Sequence, residues 1–157
     1  MFAFLELRDT VTIVAVVLSL LSLILAFRVQ RRMRSLTLYS DIDRLYFELL
    51  KLGMEHPNFV NPQYTNDYQT SFSSDERAVY ELYAFGAWNI CETIVDRKDD
   101  RLTYQSWEPV LALESSLHWK WFETGLNRNR FKASFQDFMA QNRNRLRDIA
   151  SRPVSNQ

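Results

Sequence analysis

A chain of 157 residues that is 46% hydrophobic and 14% aromatic can bury enough apolar surface to fold, which excludes a disordered polymer and suffices for one ordinary domain without staples. Three glycines and four prolines leave few turns, so a few long helices are favoured over many short strands. The formal net charge is zero, yet charge is sorted, at about +4 over residues 28–35, about −8 over 36–126 and about +5 over 127–157. Two basic ends can therefore face one acidic middle or a shared anionic surface.

From Thr10 to Phe27 no residue is charged, and Val, Leu, Ile and Ala fill nearly every place. Such a stretch is about 18 residues, or about 27 Å as a helix, close to the thickness of a bilayer core. The hydroxyls of Thr12, Ser19 and Ser22 can bond to the helix's own carbonyls and do not forbid insertion. The start, MFAFLELRD, lacks the positive charge of a cleaved signal, and the apolar run leads straight into Arg28, Arg31, Arg32 and Arg34. Basic residues beside a span stay on the cytoplasmic side. The pattern thus predicts an uncleaved, single-pass inner-membrane anchor over 10–27, with the N-terminus outside and a domain at 28–152 in the cytoplasm. The lipid bilayer is then a partner, and 153–157 is a polar tail.

No glycine or proline interrupts the chain between Arg28 and Gly53, so one helix is expected to continue to about residue 55. Ile42, Leu45, Tyr46, Leu49 and Leu50 or Leu52 recur at three and four and mark a packed face. Residues 58–76 carry prolines, asparagines and serines with scattered aromatics and read as an ordered loop, pinned by Phe59, Tyr64, Tyr68 and Phe72. Ser73 followed by Glu76 has the spacing of a capping box. The helix it opens is apolar around most of its circumference and belongs at the centre of a bundle, where Gly86 and Ala87 allow close approach. Its Cys91, the single cysteine, reads as a buried small hydrophobe. Ser106 can cap a further helix with Pro109 in its first turn and a stripe of Val110, Leu113, Leu117 and Trp121, closing at Gly125. The last helix presents Phe131, Phe135, Phe138 and Met139 inward and arginines elsewhere. The expected class is all-α, a transmembrane helix continuing into a cytoplasmic bundle of about four helices.

Several features could carry chemistry. Glu92 and Asp96 share a helix face at four-residue spacing, as do Glu114 and His118. Carboxylates and histidine on facing helices can hold metal ions, but the Glu-x-x-His pairs of di-metal bundles do not occur. These four residues are therefore weak metal candidates beside a structural reading, a buried polar network in which arginines such as Arg44 and Arg77 pair with the acids. Helical ribonucleases of the HEPN type need an arginine a few residues before a histidine, and neither His56 nor His118 has one at that distance. A phosphate-binding glycine loop, a CxxC pair and HExxH are likewise missing. The basic last helix, with Arg128, Arg130, Lys132, Arg143, Arg145 and Arg147, could meet anionic lipid or nucleic-acid phosphate. Its phenylalanines at core spacing argue instead for a solvated face or for pairing with the acidic middle. Trp119 and Trp121 flank Lys120, so Trp88, Trp107, Trp119 and Trp121 cannot all face one core, which leaves aromatic surface for a partner or for the membrane interface.

The runs DIDRLYFELLKLGMEHPNFVNPQYT, YELYAFGAWNICETIVDR, SWEPV, HWKWF and RFKASFQDF resemble a broad group of small, uncharacterised bacterial membrane proteins with one N-terminal span. The resemblance implies a bacterial inner-membrane protein and brings no activity with it. In outline the chain also looks like small membrane-anchored helical proteins that accompany some RNA-targeting CRISPR effectors. The sequence thus points to an interaction or scaffold protein without an evident catalytic site or cofactor, acting by self-assembly or by docking a protein partner. Nucleic acid is not expected as a partner, and no small-molecule substrate is inferred. The alternatives are an accessory of a bacterial antiviral system or a metal-binding helical enzyme.

Overall fold

The computed structural model describes the backbone of residues 2–152 and the side chains of 16–30, 33 and 40–152. Among the described residues the chain is all-α and without strands. It divides into two compact units, residues 1–38 and 39–157.

Helix α1 runs unbroken over Phe2–Glu55, as the lack of glycine and proline before Gly53 requires. In the first unit its described side chains are apolar and wet. Val16, Leu18, Leu20, Leu21, Leu23, Ile24, Leu25 and Phe27 are each about half exposed, from 50% at Ile24 to 59% at Leu25. Among the described residues no helix is long and apolar enough to cross a membrane. The expected single-pass inner-membrane placement, with its outside N-terminus, cytoplasmic domain and bilayer partner, is overturned on this ground. Arg28 is exposed. The other three arginines expected to fix topology, Arg31, Arg32 and Arg34, lie outside the described side chains, as do residues 10–15 of the expected span and, with the backbone too, the tail at 153–157.

In the second unit α1 turns Ile42 and Leu49 into the core and half-buries Tyr46, while Leu45, Leu50 and Leu52 remain 38–48% exposed. The expected loop is more ordered than its composition suggests: a 3₁₀ turn at Pro57–Val60, then α2 at Pro62–Thr65 and α3 at Tyr68–Ser71. Asn61 caps α2 by accepting from the Gln63 N–H, with Pro62 in the first turn where its missing donor costs nothing. Phe59, Tyr68 and Phe72 are buried and Tyr64 half-buried, so the aromatics hold the segment down.

Helix α4, Ser74–Val95, opens on the expected capping box, Ser73 accepting from the Glu76 N–H and Glu76 from the Ser73 N–H. It buries Tyr80, Tyr83, Ala84, Ala87, Trp88, Ile90, Cys91, Ile94 and Val95, the contribution of a central helix.

Helix α5 spans Arg101–Leu117, starting ahead of Ser106, the expected cap. Asp100 takes that role, accepting from the Thr103 N–H, and Pro109 falls inside the helix. Ser106 donates instead to the Leu102 carbonyl. The helix stops at His118, whose φ of −112° and ψ of 16° leave the helical region. Helix α6 follows at Trp119–Glu123, and Gly125 at φ +58° ends the pair in a conformation that favours glycine.

That break at His118 re-aims the tryptophans. Trp88, Trp107 and Trp121 are buried and Trp119 half-buried, so the expected spare aromatic surface is not there. Trp88 stacks on Phe122 at 4.0 Å and meets Trp119 edge-on at 5.8 Å. A 3₁₀ turn at Asn127–Arg130 leads to α7, Ala133–Ala150, which buries Phe135, Met139 and Leu146. Phe131 is buried ahead of it, and Phe138 lies half-buried beside Tyr104.

Candidate functional site

The buried face of α5 keeps only part of the expected stripe: Leu117 is buried, as is Trp121 in α6, but Val110 is half-buried and Leu113 exposed. It runs through Thr103, Trp107, Leu111, Glu114 and on to His118 at spacings of four and three, so polar side chains are carried into the core. Glu114 is 2% exposed and His118 fully buried.

Their partners come from α1 and α4. The Tyr46 hydroxyl donates to Glu114 Oε1 at 3.0 Å. Glu114 Oε2 lies 3.4 Å from His118 Nε2, and His118 Nδ1 lies 3.0 Å from the Tyr80 hydroxyl. Burial, reinforced by the charges of Tyr68 and Tyr83, pushes the Tyr80 phenol far above its ordinary range. Tyr80 therefore stays protonated and can donate to His118 Nδ1, while Glu114 Oε2 and His118 Nε2 face each other without forming a hydrogen bond. Burial and then the Glu114 charge also raise Tyr46 and Tyr83. The same two causes push up the thiol of Cys91, which is fully buried as expected. Trp88 Nε1 donates to the His118 carbonyl at 3.1 Å, satisfying the backbone where α5 stops.

The four weak metal candidates are not brought together. Glu92 Oε1 accepts from the Lys132 N–H at 2.9 Å, and Asp96 pairs with the Lys132 ammonium at the surface. Glu114 and His118 form their own buried pair, and among the described residues no three His, Cys, Asp or Glu side chains converge for a metal. Arg44 is exposed and Arg77 donates to the Gln69 carbonyl, so Tyr46, not an arginine, satisfies Glu114 Oε1. That polar role was missed in the sequence, where Tyr46 reads as part of a packed apolar face.

The basic end does meet the acidic middle. Lys132 pairs with Asp96, Arg145 with Glu108, and Arg143 with Glu123 at 3.0 Å. Arg130 lies over Phe85 and Trp121, and Arg143 over Trp119 at 4.4 Å. Elsewhere in the second unit, α1 and α4 leave a shallow apolar groove of about 240 Å³, lined by Leu45, Leu49, Leu52, Gly86 and Ile90. A Cβ on Gly86 would stand 3.5 Å from the Leu49 Cδ1, so any larger side chain would fill the groove.

No family model, curated protein or solved structure matches the chain. The resemblance to small bacterial membrane proteins therefore brings no activity to these residues, and function has to be argued from surfaces and buried groups alone.

Proposed function

We propose that this protein works by association, its N-terminal helix being covered by copies of itself in an assembly that presents the second unit. The observation that carries the reading is the run from Val16 to Val29, where ten large apolar side chains are 48–61% exposed. Each has about 1 kcal/mol left to gain from full burial. Together that is about 10 kcal/mol, comparable with the 4–15 kcal/mol that association costs. A helix that is apolar all round is ordinarily an interior helix. One neighbour covers one side only, so the assembly contains more than two chains.

The groove between α1 and α4 supports the same reading as a second apolar surface, with Leu45 and Leu52 46–48% exposed along it. The buried Glu114–His118 pair supports a structural role, because its polar atoms face each other and tyrosines rather than a cleft. Light scattering on the size-separated full-length chain tests the proposal. Wild type is expected to run as a discrete oligomer, and a Leu21→Glu, Leu25→Glu variant as a monomer with unchanged helix content. A monomeric wild type, or an oligomer indifferent to both substitutions, would reject it.

A further inference from the structure

The ion pairs between α7 and the acidic middle do not consume all the positive charge on that side of the second unit. Lys132, Arg143 and Arg145 each have a carboxylate, but Lys120 of α6 and Arg147 of α7 have none within ion-pair range. Both line one cleft of about 460 Å³, with Asn66, Ser116, Trp119 and Arg143. Its single acid, Glu123, is already engaged by Arg143 at 3.0 Å.

The cleft is therefore rich in donors. Lys120 and Arg147 bring positive charge that no carboxylate meets among the described residues, the Ser116 hydroxyl has no hydrogen bond among them, and Asn66 adds an amide. Arg143, fixed by Glu123 and laid over the Trp119 ring at 4.4 Å, gives one wall a rigid guanidinium. A concave site with an excess of positive charge concentrates anions, and the planar fork of a guanidinium suits two oxygens of a phosphate. A cavity of this size is within the range of small-molecule sites, about 300–1,000 Å³.

We propose that this cleft binds a small phosphate-bearing molecule, with Lys120 and Arg147 neutralising the phosphate, Ser116 and Asn66 donating to its oxygens, and Arg143 fixing its orientation. The test is calorimetric titration of the full-length protein with inorganic phosphate and with pyrophosphate at fixed ionic strength, alongside amide chemical-shift mapping. Saturable binding of one ligand per chain, with shifts centred on Ser116, Trp119, Lys120 and Arg147, is the expected result. A Lys120→Gln, Arg147→Gln variant, both positions being exposed, is expected to weaken binding at least tenfold without altering thermal unfolding. Absence of saturable binding of both probes would overturn the proposal. So would binding that the double variant leaves unchanged, which would place the anion elsewhere.

Discussion

Replacing Tyr80 by Phe deletes one oxygen from the core and leaves its shape intact. Tyr80 and His118 are both fully buried, so no solvent donor replaces the hydroxyl that lies 3.0 Å from His118 Nδ1. An orphaned buried acceptor costs about 1–3 kcal/mol. At about 4 °C per kcal/mol for a domain of this size, the melting temperature falls by about 4–12 °C. His118→Leu strands the Tyr80 hydroxyl in turn and also takes the imidazole away from Glu114, so it costs at least as much. The double variant orphans neither member of the Tyr80–His118 bond and is expected to be about 1–2 kcal/mol more stable than the sum of the two losses. Urea unfolding followed by far-ultraviolet circular dichroism measures all four proteins. Tyr80→Phe within about 0.5 kcal/mol of wild type, the ordinary range for neutral changes, or strict additivity of the pair, would refute the assigned hydrogen bond.

Further outcomes follow from the same contacts. Tyr80 and Tyr83 have folded-state pKa values raised from 10.0 by burial, so their contribution is whole below pH 10 and is lost as pH climbs above it. Together they make stability fall by up to about 3 kcal/mol per pH unit there, and absorbance titration should show their ionisation coinciding with alkaline unfolding. Cys91, fully buried with its thiol pushed upward, should react with a thiol reagent only at the unfolding rate; fast labelling of the native protein would contradict its placement. Trp88→Ala removes the ring stacked on Phe122 and the donor to the His118 carbonyl, a loss of about 3–5 kcal/mol by cavity formation alone. Chemical denaturation should show it, and a loss under 1 kcal/mol would mean the stack is not formed.

What could be read from the sequence follows local chemistry. The Ser73–Glu76 box needs only four residues and was legible, as was the uninterrupted helix to Glu55. The central position of α4 was visible because aliphatic and aromatic side chains occupy most of its faces. The face of α5 was not, since its buried stripe contains Thr103, Glu114, Ser115 and His118, and hydrophobic periodicity counts such residues as exterior. Asp100 and Ser106 are both competent caps, and only the packing of Trp107 and Thr103 into the core decides for the earlier one. The break at His118, where Trp88 donates to the carbonyl, is marked by no glycine or proline in the sequence, and with it went the sorting of the tryptophans. Sorting of charge along the chain did anticipate the pairing of α7 with the acidic middle, though not which acids it would find or that Lys120 and Arg147 would be left over. The expected span rested on the length of a run that includes residues 10–15, outside the described residues. The described part supports no crossing helix.

The mass of the full-length chain in aqueous solution, measured by sedimentation equilibrium over a wide concentration range, tests the central claim most directly. The proposed covering of the apolar helix of the first unit predicts an assembly of at least three chains whose mass holds on dilution until it dissociates cooperatively. A single species at the 18.7 kDa of one chain at every concentration would mean that Val16–Val29 stays uncovered in solution, and the association account would be wrong.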